Sequence, residues 1–89
     1  MNELLAVVGS VTGATGILRD LKRKGYEKVV VVNTPNSLGN GGCSYSVKFR
    51  EEIKAEFFEA ARRRRVKIRG VYKIFKDERG ESIYESVSW

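Results

Sequence analysis

The sequence predicts an α+β domain with two helices on one face of an antiparallel sheet. Three observations carry this. Short stretches rich in β-branched or alternating apolar residues read as strands, and two longer stretches carry apolar residues at helical spacing. The order along the chain is strand, helix, strand, strand, helix, strand, with one further strand at the end.

Leu4 to Val8 is a continuous apolar run stopped by Gly9 and Ser10, which suits a strand buried on both faces. Ser10 or Thr12 then caps a helix whose apolar positions are Ala14, Ile17, Leu18 and Leu21, and Gly25 after Lys22-Arg23-Lys24 stops it. Val29 to Val32 is β-branched throughout and forms the second strand, which Pro35 cannot extend far. From Pro35 to Gly42 almost nothing is available to bury, so this stretch is a loop. Cys43, Tyr45, Val47 and Phe49 alternate with Ser44, Ser46 and Lys48, giving a third strand with the two sets on opposite sides. Arg50 to Arg65 returns to helical period, with Ile53, Phe57, Ala60 and Ala61 on one face. Val66, Ile68 and Gly70 alternate again, and a fourth strand is expected to run from there through Phe75. Asp77-Glu78-Arg79-Gly80 then makes a bulged hairpin turn into a last strand within Ser82 to Trp89.

Under the layering and handedness rules this order gives a ferredoxin-like split βαββαβ two-layer sandwich with an antiparallel sheet and an extra C-terminal strand. The first two strands run parallel through a right-handed crossover, and the third lies between them in the opposite direction. The end of the first strand, the start of the first helix, the glycine loop, the start of the third strand and the Arg62 to Arg65 run are thereby expected at one edge of the sheet. At 89 residues the chain is expected to be a single domain, with residues 71–89 as a C-terminal hairpin extension.

Composition excludes much chemistry. There is one cysteine, Cys43, and no histidine, which removes intrachain disulfides, His-containing zinc sites, Ser-His and Cys-His catalysis and imidazole acid–base work. No stretch approaches the ~18 uncharged apolar residues of a membrane-spanning helix. Met1-Asn2-Glu3 passes at once into Leu4 to Val8 without a basic leader region, so the cytoplasm is the expected location.

The net charge is +6, and its excess is local. From Arg62 to Lys76 lie eight basic residues and no acid. Two readings stand. The run can dock an acidic partner or nucleic acid, or it can answer the dipole of the second helix, which Glu51 and Glu52 open and where Glu59 can pair with Arg63.

Gly9, Gly13 and Gly16 match neither the dinucleotide fingerprint nor the P-loop. What remains is a hydroxyl-rich helix start, with Ser10, Thr12 and Thr15, that either caps the helix over closely packed glycines or receives an anion. Arg69 to Phe75 is a poor match to RNA-recognition motifs, because Tyr72 and Phe75 fall on opposite strand faces and cannot both stack on bases. Cys43 is the one polarisable nucleophile. It shares a face with Tyr45, Val47 and Phe49, as a small buried hydrophobe would. It also follows Gly41-Gly42 beside a helix start and a basic run, surroundings that lower a thiol pKa. No second cysteine is present to resolve an adduct, so covalent chemistry would need a partner thiol or would stop at a persulfide.

Asn33-Thr34-Pro35, a small-residue loop, and Gly42-Cys43 opening a strand resemble the selenium/sulfur (Se/S) carrier protein-like family, over about residues 4–71. The family's signature proline and loop cysteine fall on Pro35 and Cys43; where the family commonly has a glycine after the cysteine, this chain has Ser44. The resemblance implies a carrier, more a shuttle than a turnover catalyst, without a cofactor or metal. Cys43 would hold the chalcogen as a persulfide or selenosulfide, taken from a donor such as a cysteine desulfurase and passed to an acceptor. Ser10, Thr12, Pro35, Gly41 and Gly42 would shape its binding site, and Arg62, Arg63, Arg64 and Arg65 would dock the partner. The alternative is a basic interaction module for RNA or an acidic protein, with Cys43 structural. A homodimer formed through the last strand is also expected, because Ile83, Val87 and Trp89 near a sheet edge would otherwise face water, unless Trp89 folds back on its own domain.

Overall fold

The computed structural model describes residues 2–38 and 44–89. Gly41, Gly42 and Cys43 lie outside the described residues. At the centre is β1 (Glu3–Val7), paired antiparallel with β3 (Tyr45–Arg50) on one side and β4 (Gly70–Lys76) on the other. β2 (Val30–Asn33) adds to β3 and β5 (Ser82–Ser86) adds to β4, so the order across the sheet is β2-β3-β1-β4-β5. β3 thus separates β1 from β2, as a split βαβ unit requires. The small α+β fold with two helices and a five-stranded antiparallel sheet is compatible with the ferredoxin-like sandwich.

Both helices pack on one side. Leu4, Ala6, Val8, Val47, Phe49 and Val71 face α1 (Val11–Arg23) and α2 (Lys54–Arg63), which contribute Ala14, Ile17, Leu21, Phe57, Ala60 and Ala61 to one buried cluster. Phe49 and Phe57 stack at its middle with ring centroids 4.3 Å apart. Leu5 and Val7 on the opposite face of β1 are also buried, so the central strand is covered on both sides as its unbroken apolar run predicts.

α1 starts and stops where its sequence says. Ser10 is the cap, its Oγ accepting from the Gly13 N–H at 3.1 Å. At the other end the Gly25 and Tyr26 N–H groups donate to the Lys22 and Leu21 carbonyls, the paired bonds of a Schellman stop, with Gly25 at φ +94°.

α2 departs from expectation at both ends. A 3-10 turn over Glu51–Ile53 precedes it, and it ends at Arg63. The stop has the same bond pattern, Arg65 to Arg62 and Val66 to Ala61, but the left-handed position is filled by Arg65 at φ +55°. A side chain there costs roughly 1 kcal/mol that glycine would avoid. Val66 to Arg69, read as strand from its alternation, is instead an irregular connection whose Val66 and Ile68 pack on the core edge. β2 is shifted one residue later than predicted, with Val29 buried ahead of it.

Ser46, on the strand face opposite Val47 and Phe49, is fully buried, and its hydroxyl is satisfied by a 2.7 Å hydrogen bond shared with that of buried Thr34. The β4–β5 turn is as predicted. Gly80 takes φ +81° and donates to the Asp77 carbonyl, while Asp77 Oδ1 accepts from the Arg79 and Glu81 amides. Among the described residues no helix is long and apolar enough to cross a membrane.

Candidate functional site

The elements that converge at one end of the sheet are tied together by backbone bonds. Beyond β1, the N–H groups of Val8 and Gly9 both donate to the Tyr45 carbonyl, at 3.0 and 3.3 Å. The β1–α1 turn is thereby fastened to the first residue of β3. Thr34 N–H donates to the Ser44 carbonyl at 3.0 Å, and the Thr34–Ser46 hydroxyl pair lies beside it. These contacts hold Thr34 beside Ser44. Pro35, half-buried, follows Thr34, and its carbonyl accepts from Leu38 N–H at 2.9 Å in a tight turn.

The φ of Gly9, +86°, favours glycine there, and a Cβ on it would stand 3.0 Å from Cζ and Nε of the Arg69 side chain. The Arg69 guanidinium therefore lies against the backbone one residue before the α1 cap, while the Arg69 backbone N–H donates to the Val7 carbonyl at 2.8 Å. Ser10 Oγ is committed to capping, and Ala14 N–H is taken by the Ser10 carbonyl. The amides of Val11 and Thr12 precede any intrahelical acceptor and open toward this end. With the helix dipole and Arg69 they make a field favourable to an anion.

Thr12 is exposed and, with Val11, Thr15, Gly16, Arg19 and Arg64, lines an open groove of about 300 Å³ along the first half of α1. The predicted glycine packing is present but with a different partner. Gly13 faces Val66 and Gly16 faces the Arg64 side chain, so the glycines admit the connection after α2 and not the sheet.

The arginine run does not act as one patch. Arg62 pairs with Glu59, and Arg63 reaches the same carboxylate at 4.0 Å. The Arg62 hydrogen bond holds the Glu59 carboxyl below its usual range. Arg64 turns away toward α1 and grips Asp20, with Nε to Oδ2 at 2.6 Å and Nη2 to Oδ1 at 2.8 Å. That hydrogen bond lowers the Asp20 pKa and raises that of Arg64. Arg65 is exposed and occupies the left-handed helix stop. The basic side chain seated at the α1 start is Arg69, which sequence reasoning counted in the basic run without giving it a site role. Thr34 and Ser46 were also missed as a pair. Thr34's place between Asn33 and Pro35 was the available signal.

Ser10, Thr12, Pro35 and Ser44 are thus gathered at one end of the sheet. Gly41, Gly42 and Cys43, between Leu38 and Ser44 in the chain, lie outside the described residues. A family model described as "Putative Se/S carrier protein-like" matches residues 3–73, a span that contains Pro35, Gly41, Gly42 and Cys43 and slightly exceeds the resemblance read from sequence. No curated protein and no solved structure matches the chain.

Proposed function

The chain belongs to the Se/S carrier protein-like family, and from that premise we propose that it carries sulfur or selenium on Cys43 between a donor and an acceptor. The Cys43 thiolate attacks the terminal chalcogen of a donor persulfide or its selenium counterpart. A bond from Cys43 sulfur to that atom forms as the donor's bond to it breaks, and the donor leaves as a thiolate. Two electrons stay with the leaving sulfur, so no external oxidant is needed. In delivery a nucleophile of the acceptor takes the terminal atom and Cys43 returns as a thiolate.

The observation that carries this reading is the family match across Cys43. The surrounding geometry supports it. Cys43 is bonded to Ser44, whose carbonyl is fixed by Thr34, and the next residue, Tyr45, is fixed by Val8 and Gly9. The open amides of Val11 and Thr12 and the Arg69 guanidinium favour a negatively charged sulfur at this end of the sheet. Ser10 contributes by holding the helix start, Thr12 by its exposed position, and Pro35, Gly41 and Gly42 by shaping a loop with little bulk.

A cysteine desulfurase, which presents an enzyme-bound persulfide, is the proposed donor. Its docking face would be acidic and would meet Arg62, Arg63 and Arg65, with Arg64 reserved for Asp20. A free thiol of this kind works in a reducing compartment, and the cytoplasm is the proposed location. Intact-mass measurement after incubation with a desulfurase and cysteine tests the loading step. A mass increment of one sulfur on the wild type, absent from Cys43→Ser, is expected; an increment that persists in Cys43→Ser, or none on either, refutes it.

A further inference from the structure

The outer strand of the C-terminal hairpin has an open hydrogen-bonding edge and an apolar flank. The Val87 N–H donates to the Val71 carbonyl at 3.0 Å, and the register pairs Lys73 with Glu85 and Phe75 with Ile83. By strand alternation Ile83, Glu85 and Val87 direct their backbone groups toward β4, and Ser82, Tyr84 and Ser86 direct theirs away from it. Among the described residues nothing pairs with that outward row.

The two sheet edges are managed differently. β2 is short and Pro35 follows it, whereas β5 contains no proline, no lysine and no bulge within Ser82–Ser86. Beside β5 stand Phe75, 41% exposed, and Ile83, 48% exposed, directly opposite each other. Trp89, just beyond the strand, is 58% exposed and so does not fold back into its own core. Charge is also distinctive here. Residues 70–89 hold Lys73, Lys76 and Arg79 against Asp77, Glu78, Glu81 and Glu85, a net charge of −1, so residues 1–69 together carry +7. β5 also lies beyond the family match.

We infer that β5 is the interface of a homodimer, in which two copies pair β5 antiparallel about a two-fold axis and join their sheets. A second copy is the occupant because contact through the hairpin keeps the strongly basic remainders of two like-charged chains apart. The self-complementary row Ser82, Tyr84, Ser86 gives an isologous ladder. Like charge then selects the register. An axis on Glu85 would set two carboxylates face to face, and one on Ile83 would set Glu81 against Glu85 of the other copy. An axis on Tyr84 avoids both, pairs Tyr84 with its own copy, and places Ile83 opposite Glu85.

Sedimentation of the full chain at high micromolar concentration tests this, alongside Ser86→Pro, Ile83→Glu and Ile83→Lys. Circular dichroism verifies that each variant is folded. Ser86→Pro removes an outward N–H that the monomer does not use. A wild-type dimer is expected, with dissociation at least about tenfold stronger for Ser86→Pro and Ile83→Glu. Ile83→Lys, which would face Glu85 across the axis, should remain dimeric. A monomeric wild type, an open-ended polymer, a dimer indifferent to Ser86→Pro and Ile83→Glu, or one lost equally with Ile83→Lys and Ile83→Glu overturns the inference.

Discussion

Arg64 and Asp20, on the two different helices, meet in a two-pronged ion pair with separations of 2.6 and 2.8 Å. This contact takes one arginine out of a run of four and converts it into a clasp between α1 and the end of α2. Its neighbours Arg62 and Arg63, sharing Glu59, stay largely exposed.

The clasp makes stability depend on pH in one direction. Asp20 is held below its ordinary value of 3.8, chiefly by the Arg64 hydrogen bond. Its contribution is therefore complete above that value and disappears as pH falls through the lower folded-state pKa. Thermal melts should show Asp20→Asn less stable than wild type by a constant margin near neutral pH. That margin should shrink in acid below the ordinary carboxylate value. A margin that is unchanged or grows in acid contradicts the assignment.

Charge reversal should separate the arginines by role. Arg62→Glu with Arg63→Glu should weaken docking to an acidic donor, and added salt should weaken wild-type docking in the same way. Arg64→Glu should lower the melting temperature first, because it sets a carboxylate against Asp20. Binding titrations and melts on the same variants distinguish the two effects. Salt-insensitive docking unaffected by the double reversal would remove the docking role.

Arg65→Gly should stabilise the protein. Relief of the left-handed backbone exceeds the extra chain entropy that glycine brings to the unfolded state, leaving a gain of up to about 0.5 kcal/mol. Denaturant midpoints would show it, and an unchanged or lower midpoint would contradict it.

The Thr34–Ser46 hydroxyl pair predicts non-additivity. Ser46→Ala or Thr34→Val alone leaves a buried hydroxyl without its partner and should cost ~1–3 kcal/mol, whereas the double variant should recover much of the loss. Simple additivity in a double-mutant cycle would show that the two groups do not depend on each other.

These contacts mark where sequence reading succeeds and where it stops. β1, the stop of α1 at Gly25 and the turn at Gly80 are legible because each depends on neighbouring residues whose backbone preferences or apolar pattern are decisive. The strand order follows from element order and handedness. Alternation predicts strand for Val66 to Arg69 because it does not reveal whether a neighbouring strand is within reach. The burial of Ser46 and the pairing of its hydroxyl with Thr34, beyond the end of another strand, are tertiary contacts that alternation does not report. Arg64 and Asp20 are separated by 44 positions, so nothing local signals their union. The site shows the same division. Ser10 as a cap and Pro35 at the loop start were readable, while Arg69 against Gly9 depends on how β4 enters beside β1.

Return of the carried atom separates a shuttle from a dead-end adduct. The chain is loaded with radiolabelled sulfur by a desulfurase, separated from it, and treated with cyanide, a small nucleophile that takes sulfane sulfur as thiocyanate. The label should leave as thiocyanate in an amount equal to that of the chain, and Cys43 should regain a free thiol able to load again. Label that stays on the protein, or that loads equally onto Cys43→Ser, would contradict the shuttle.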